Sequence, residues 1–580
     1  MMAADICKEA VEIIDVDVLI IGGGIAGLWS AIKAKPHVER VLIVDKASKD
    51  WGGQASKSGG AMLAAIPPDS PRDFLEDLVY YYDGLCDQEL WGFILDRSYV
   101  MIQEFQKLGY EYVTDSDGKL KGISQRALDH IKCYLGSPFG MGGINMIRVL
   151  VDEAERLGVE RRGRIMITGL CTEDGAIRGA AGFDTRTGRF YLFCAPSVVL
   201  AVGDSGWKTS YHHNTGAGDT AYLGLKAGAQ LTNCEFVRVW NVPKLFAWEG
   251  QTYLLPLGAK FVNAKGESFM DRYSPVFGAN TDPHYVTRAM ALEARKGNGP
   301  FYLDCSGIKP DDRELVTPKG SGWMKLNYMK LKELGMSFFE DKIEWVAQTR
   351  RSAMGLHADL PGRTSVRGLF AAGRARAIDP TVYIGGLSLC YCSVTGAEAG
   401  QAAGIFAAGA KHASMDRGWA EAHRSEIFAP IGKPGVMPGE VLKEIQQTVF
   451  PYDVSILKNG DSLKRALAEL ERIREERIPV MTAPDPHYLM KLMEVKSIAM
   501  MSEIYVRASL ERKESRAGHF REDFPKRDDT NWLCRILVSS SNEGFRFTKD
   551  MLPMERYQIK PTRYYSDNFT FPEDGNKAEI

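Results

Sequence analysis

The stretch that most constrains this chain runs from Val16 to Lys46, VDVLIIGGGIAGLWSAIKAKPHVERVLIVDK. An apolar run, Val18 to Ile21, meets Gly22, Gly24 and Gly27 in G-x-G-x-x-G spacing. A helical pattern follows, then a second apolar run, Val41 to Val44, closed by Asp45. This order predicts a βαβ unit. The first glycine allows a tight turn, the second lets backbone approach a pyrophosphate, and the third lets helix pack on strand, with the helix N-terminus facing the phosphates. Ala26 lies inside that turn. Asp45, eighteen residues beyond Gly27, falls where a carboxylate accepts ribose hydroxyls. Glycine punctuation of an ordinary turn would not require the second strand or its terminal acid, so the expectation is a dinucleotide site.

At 580 residues the chain exceeds a single core, and length suggests about three or four domains. Its apolar share of 45% can fill them. The 72 basic residues nearly cancel the 74 acidic ones, which gives no reason to expect a nucleic-acid partner. The apolar runs are strand-length, well short of the roughly 18 residues of a membrane span. The opening MMAADICKEAVEIID lacks a basic n-region and an apolar h-region, so it does not read as a signal peptide, and cytoplasm is the expected compartment. The ten cysteines contain no C-x-x-C, which argues against a cluster or structural zinc within the chain, and no metal site is expected. Cys390 and Cys392 would point about 200° apart on a helix and read as core.

After Asp45 and Lys46 comes a loop dense in Gly, Ser and Lys, KASKDWGGQASKSGGAMLA, which offers the donors and close backbone approach that phosphates and a flavin ring need. Helical patterns follow from Pro71, and the stretch from Arg162 to Pro196 alternates as a β-meander around Asp174-Gly175 and Thr187-Gly188. It ends in SVVLAVGDSGW, where Ala201, Gly203 and Gly206 make a second narrow approach after a second strand. Two such segments far apart in sequence suggest one large dinucleotide and favour FAD over NAD. The unit beyond Arg238 has its own strand, Gly258 to Asn263, and a helix, Pro283 to Arg295, and reads as an inserted cap. The chain returns at RGLFAAGRARAIDPTVYIGGLSL, with a strand over Gly368 to Ala372 and a small-residue helix starting at Gly386-Leu387-Ser388. Its N-terminus can favour a group that gains negative charge. Long helical patterns occupy Lys411 to Arg512, and an extended tail closes the chain.

The fold class expected is therefore α/β: a Rossmann-like FAD-binding domain (1–237 and 346–410) with an inserted α+β capping domain (238–345), followed by a helical domain (411–512) and an extended C-terminal tail (513–580). These pieces resemble the flavoprotein family of fumarate reductase, succinate dehydrogenase, L-aspartate oxidase and the adenylylsulfate reductase alpha subunit. The resemblance rests on GGGIAG, SKSGGAM, VVLAVGDSG, LKAGAQLTNCEF, AKGESFMDRYSP, SVRGLFAAG, GGLSL and, near the end, ERKESRAGHFREDFPKRDDTNW.

The resemblance implies a mobile cap over FAD and two-electron chemistry at the flavin N5. It implies that Gly22, Gly24 and Gly27 meet the pyrophosphate, that Ser56, Gly59 and Gly60 line the flavin, and that Ser388 and Leu389 sit at its pyrimidine edge. Asp219 replaces a displaced carboxylate of T-G-D-G. Arg374, after Gly373, stands where the family carries an acid, which swaps an acceptor for a donor. The histidine to which succinate-type members attach FAD corresponds to Gly53, so the FAD is expected to be noncovalent.

Four positions that hold dicarboxylates in the family are changed together. The histidine of E-F-x-Q-F-H-P is replaced within Glu235 to Trp240, and the histidine before Met-Gly-Gly is Arg351. The substrate arginine before L-G-G-N-S-L is Tyr383, and the proton-donating arginine falls at Pro283, with Arg288 following. Each lost arginine–carboxylate pair removes a strong contact, so a simple C4 dicarboxylate is not the expected substrate. Proton-donor candidates are Tyr383, Arg351, Arg288 and, more weakly, His357. For Tyr383 the alternative is a packed aromatic, and for Arg288 a salt-bridged helix arginine. Arg238 and Lys244 are the basic residues nearest the sulfate-binding position of the adenylylsulfate reductase relative. Trp240, Phe246, Trp248 and Tyr253 suggest an aromatic pocket wall, with core filling as the alternative.

The expected function is two-electron transfer to or from an unsaturated or carbonyl-conjugated small molecule. Two alternatives stay open: an electron-transfer subunit needing a ferredoxin-like iron–sulfur partner, and a flavin-binding protein whose catalytic residues have decayed. A homo-oligomer is also left open.

Overall fold

A strand covered on both faces must be apolar along its length, and Val18–Ile21 and Val41–Val44 are buried at every residue. In a computed structural model these strands belong to a five-stranded parallel sheet. Its order is Leu369–Ala371, Ser197–Leu200, Val18–Ile21, Val41–Val44, Glu160–Arg162. The structure describes residues 11–580 apart from 126, 138–141, 210–215, 247–253, 318–321, 379, 381–382, 412–413, 543, 571, 574–575 and 578–580. The strand that carries the glycine turn lies at the centre of the sheet. Its C-terminal end therefore opens where sheets of this kind bind ligands.

The helix after the turn, Ile25–Ala34, lies against the long helix Leu387–Gly409 at backbone distance. A methyl group at Gly396, Gly400 or Gly404 would come within 2.6, 2.1 or 2.8 Å of the carbonyl oxygens of Ala26, Ser30 and Ala34 respectively. The small-residue spacing thus serves one helix–helix contact, and the Ser30 hydroxyl donates across it to the Gly396 carbonyl at 2.9 Å.

The alternating stretch forms antiparallel strands Ile165–Glu173, Ala176–Asp184 and Phe190–Cys194, with Glu12–Asp15 added in parallel at the edge. The inserted unit is a sheet ordered Val237–Pro243, Ile343–Ser352, Phe301–Asp304, Lys260–Val262, against which the helix Pro283–Arg295 packs. The strand Ile343–Ser352 continues through residue 345 without a break, because all of Val237–Pro243 needs a hydrogen-bonding neighbour. A cap boundary at 345 therefore cuts a strand, and the sheet belongs to the cap as far as 352.

Helices Arg417–Phe428, Pro438–Val449, Gly460–Arg472 and Pro486–Glu511 follow. The tail is less extended than its composition suggests. Cys534–Ser541 and Gly544–Met551 form a hairpin that pairs with Leu231–Thr232, itself paired with Gly355–Leu356. Beyond it, the Tyr565 hydroxyl accepts from the Asp282 amide at 2.8 Å and its ring meets Tyr81 edge-on. The tail thus wraps its own chain. Among the described residues no helix is long and apolar enough to cross a membrane, and no group of three or more His, Cys, Asp or Glu could hold a metal ion.

Candidate active site

At the C-terminal end of the central strand the glycines divide their roles. A methyl group on Gly22, whose φ is +111°, would strike the Ala201 carbonyl oxygen at 2.3 Å, and one on Gly27 would strike the Gly22 carbonyl oxygen at 1.9 Å. Gly22 thus lets two strands converge, and Gly27 lets helix meet turn. Gly24 caps the Ile25–Ala34 helix with no side-chain hydrogen bond, so the first amides of that helix remain available to a ligand. Gly53, with φ +63°, stands behind Gly24, and a methyl group there would come 3.1 Å from the Gly24 Cα.

Asp45 accepts from the Gly23 amide at 2.6 Å and from the Ala47 amide at 2.7 Å, which fixes the carboxylate at the pocket wall. Next to it, Lys46 pairs with Asp219 at 2.5 Å and with Glu494 at 2.9 Å. Burial lowers the Lys46 pKa, but these two carboxylates outweigh it and hold the ammonium above its ordinary value.

Asp45, Lys46, Gly53 and Asp219 line a cavity of about 910 Å³, near the top of the ~300–1,000 Å³ range of small-molecule sites. Gly22, Gly24, Ala26, Ser56, Gly59, Ala201, Gly203, Arg374, Ser388 and Leu389 also line it. Gly386 (φ +76°) caps the helix that presents Ser388 without a side-chain hydrogen bond, so that helix too directs a positive end inward.

Part of the lining is cationic. Asp204, on the loop after Ser197–Leu200, accepts from Arg374 Nε at 2.9 Å and from Arg351 Nη1, which also donates to Gln54 Oε1 at 2.8 Å. Burial pushes the Asp204 pKa up, but the two guanidiniums outweigh it and hold the carboxyl below the usual carboxylate range. Arg238 shows the opposite stress: burial first, then Arg374 and Arg351, push its guanidinium down to about 9.

Arg350 also reaches this cavity, though neighbours on a strand normally face opposite ways. A register shift explains it. Arg238 faces Arg351 and Val239 faces Thr349, so Arg350 is the extra residue of a β-bulge. Its guanidinium carbon lies 5.7 Å from the ring centre of Trp240, and Trp240 meets Tyr383 edge-on at 4.6 Å.

Several residues that the sequence suggested lie elsewhere. Gly27, Gly60 and Gly373 do not reach the cavity; they are packing glycines, and a methyl group on Gly60 would strike the Tyr110 hydroxyl and one on Gly373 the Ala26 Cβ. Arg288 is buried, donates to the Ala517 carbonyl at 3.2 Å and lies over the Tyr285, Phe520 and Phe569 rings, and it does not line this cavity. His357 is held by backbone pairing to Gln230 and feels Arg535 and Asp550, and Lys244 is an exposed partner of Glu344 at 2.8 Å. Neither lines the cavity. Tyr383, Arg351, Arg238, Trp240 and Phe246 do. Trp248 and Tyr253 lie outside the described residues. Sequence reasoning missed Asp204, Arg350, Gln54 and Cys392 as lining residues. An arginine where a relative carries an acid, as at Arg374, was the available signal that a compensating acid stood nearby.

The site fits an FAD on four observations: two uncapped helix N-termini, a glycine cradle at Gly24 and Gly53, the fixed Asp45 carboxylate, and buried polar atoms without partners at Asp219 Oδ1 and Arg374 Nη1. The fold and this site define a flavoprotein oxidoreductase. A family profile described as "FAD binding domain" matches residues 17–389, and one described as "Fumarate reductase flavoprotein C-term" matches residues 443–565. The chain belongs to the fumarate reductase and succinate dehydrogenase family of FAD-dependent flavoproteins.

It is 28% identical over 558 residues to one of the subunits of fumarate reductase (CoM/CoB) from Methanothermobacter marburgensis, covering 92% of this chain and 98% of that one. E. coli quinol fumarate reductase superposes with a TM-score of 0.84 at 20% identity, covering 96% of this chain and all of that one. Adenylylsulfate reductase from Archaeoglobus fulgidus superposes with a TM-score of 0.77 at 21% identity, covering 95% and 97%. At such identities these two solved structures speak for the fold.

Proposed function

We propose that this flavoenzyme transfers two electrons to or from an unsaturated or carbonyl-conjugated small organic molecule that is not a simple C4 dicarboxylate. Bound FAD supplies a hydride-transferring centre at N5. The observation that carries the reading is the part of the cavity lining that brings together Arg238, Arg350, Arg351, Trp240 and Tyr383. The dicarboxylate pattern of histidines and arginine is absent from the matching positions, Arg351 and Tyr383.

Arg351, oriented by Asp204 and Gln54, presents a fixed cation that polarises a carbonyl oxygen as charge develops on it. Tyr383, anchored through its amide to Asp282 at 2.8 Å, is the candidate to hold or deliver the proton. The cap sheet brings Trp240 to the cavity lining beside Tyr383, with Val242 and Val346 packed around them, and this apolar cover limits the access of water. Gly53 at the attachment position supports a noncovalent cofactor.

The test is anaerobic reduction of the purified flavin followed by a screen of conjugated acceptors. Reoxidation by a free small molecule, and none by fumarate, is the expected result. A second reading, an electron-transfer subunit served by a ferredoxin-like iron–sulfur partner, is favoured by one observation: the Methanothermobacter relative is itself named as one subunit of its enzyme. Reoxidation that requires an added protein would support it over the first.

A further inference from the structure

The segment that carries Tyr383 is tied to the cap by a buried carboxylate. Asp282, the N-cap of the cap helix Pro283–Arg295, has no exposed surface and commits both of its oxygens. Oδ2 accepts from the Tyr383 amide and from the Tyr81 hydroxyl, each at 2.8 Å. Oδ1 accepts from the His284 amide at 2.8 Å and lies 2.7 Å from His284 Nδ1. Burial pushes the pKa of this carboxyl up, but His284 and the Tyr383 amide outweigh it and hold it below its ordinary value. A charged acceptor makes the stronger kind of hydrogen bond, so the cap helix and the Tyr383 backbone are firmly joined.

Asp282 is held in turn by the C-terminal tail. Its amide donates to the Tyr565 hydroxyl at 2.8 Å, and the Thr281 hydroxyl lies 3.0 Å from the same oxygen. The Tyr565 ring stacks on Phe277 of the cap at 5.6 Å with 9° between the planes, and meets Tyr81 edge-on at 4.5 Å. Neighbouring tail residues fasten both sides of this junction. The Ser566 amide donates at 2.9 Å to Asp83, just beyond the helix Pro71–Tyr81, and the Thr570 amide donates at 2.8 Å to the Tyr273 carbonyl of the cap. Neither Asp282 nor Tyr565 lines the cavity.

We propose that Tyr565 and Asp282 are positioning residues for Tyr383: the tail hydroxyl fixes the Asp282 backbone, and the Asp282 carboxylate sets where the Tyr383 ring stands beside Trp240. The proposal rests on the reading of Tyr383 as the group that holds or delivers the proton. Such a group works only when held within about 0.5 Å of its productive position, and neighbours that lock its backbone supply that precision. The C-terminal tail thereby completes a site that it does not touch.

The experiment places 3-fluorotyrosine at position 383 alone and records the fluorine resonance of the holoenzyme. Trp240 meets the Tyr383 ring edge-on at 4.6 Å, so Trp240→Phe is expected to shift that resonance by removing the indole ring current. Asp282→Asn is expected to abolish this Trp240-dependent shift, because the amide nitrogen of an asparagine cannot accept from either pair of donors. Tyr565→Phe keeps the ring, removes only the hydroxyl, and is expected to reduce the shift. Tyr505→Phe deletes a buried hydroxyl that donates to the Val454 carbonyl at 2.8 Å, far along the chain from this junction, and is expected to leave the shift intact. The same Trp240-dependent shift with and without the Tyr565 hydroxyl would overturn the proposal, and that comparison stands even if Asp282→Asn does not fold. Equal loss of the shift in Tyr505→Phe would mark a general loosening and would also overturn it. If reduced enzyme carrying Tyr383→Phe is reoxidised by trans-cinnamaldehyde as fast as the unmodified enzyme, the proton role of Tyr383 fails, and the resonance still reads the positioning separately.

Discussion

Asp204 decides the electrostatics of the site. It is the anion between Arg351 and Arg374, and its side chain is 2% exposed. Removing one member of a buried ion pair leaves the other charge uncompensated, so Asp204→Asn is expected to lower stability by about 3–5 kcal/mol at neutral pH. The folded-state pKa of this carboxyl is depressed. Its contribution is therefore fully present above the unfolded value of about 4 and is lost as pH falls through the lower folded value. Denaturant melts of both proteins should show the gap narrowing as pH drops below about 4; a gap independent of pH would contradict the assignment.

The residues around Asp204 show where sequence reading stops. Arg351, Tyr383 and Trp240 can be placed by motif, but Arg350 cannot, since strand alternation sends it away from Arg351 and the bulge that redirects it leaves no sequence mark. Asp204 is hidden inside a glycine loop, with its partners at least 147 positions away along the chain. Arg288 misleads for the opposite reason: a helix arginine on a family motif reads as functional, whereas it serves aromatic packing and the Ala517 carbonyl.

Among the elements, periodicity carries most of the fold. Continuous apolar runs become the parallel strands, alternation becomes the meander, and the stretch Pro283–Arg295 becomes the buried helix behind the cap sheet. The cap strand Ile343–Ser352 and the C-terminal hairpin are harder, because their pairing partners lie far off in sequence and local pattern does not name them. The glycine spacing of Leu387–Gly409 is legible as small residues, though its purpose emerges only where Gly400 meets the Ser30 carbonyl. Gly400→Val forces these two backbones apart and is expected to cost at least about 1–3 kcal/mol, together with weaker FAD retention because the same helix presents Ser388 to the cavity. A melting temperature and flavin content equal to those of the unmodified protein would show that the contact does not matter.

At the scale of the whole molecule, distant segments are tied together by buried charge. Arg512 donates to Glu235 at 2.7 Å and to Glu514 at 2.7 Å, all three without exposed side-chain surface, and Arg516 carries the chain of contacts on to Asp529. The C-terminal motif ERKESRAGHFRED is therefore a fastening between the tail and the segment that leads into the cap. The cofactor site is likewise assembled from three separated stretches, around Gly24, Gly203 and Gly386. Gly53 offers no side chain for attachment, so acid precipitation is expected to release all the flavin into the supernatant, read by its absorbance; colour in the protein pellet would contradict noncovalent binding.

The most direct measurement of the central claim mixes the anaerobically reduced holoenzyme with free conjugated acceptors and follows flavin reoxidation. Rapid reoxidation by at least one free conjugated small molecule, and none by fumarate, is the predicted result. Rapid reoxidation by fumarate, or reoxidation that occurs only when an iron–sulfur protein is added, would contradict it.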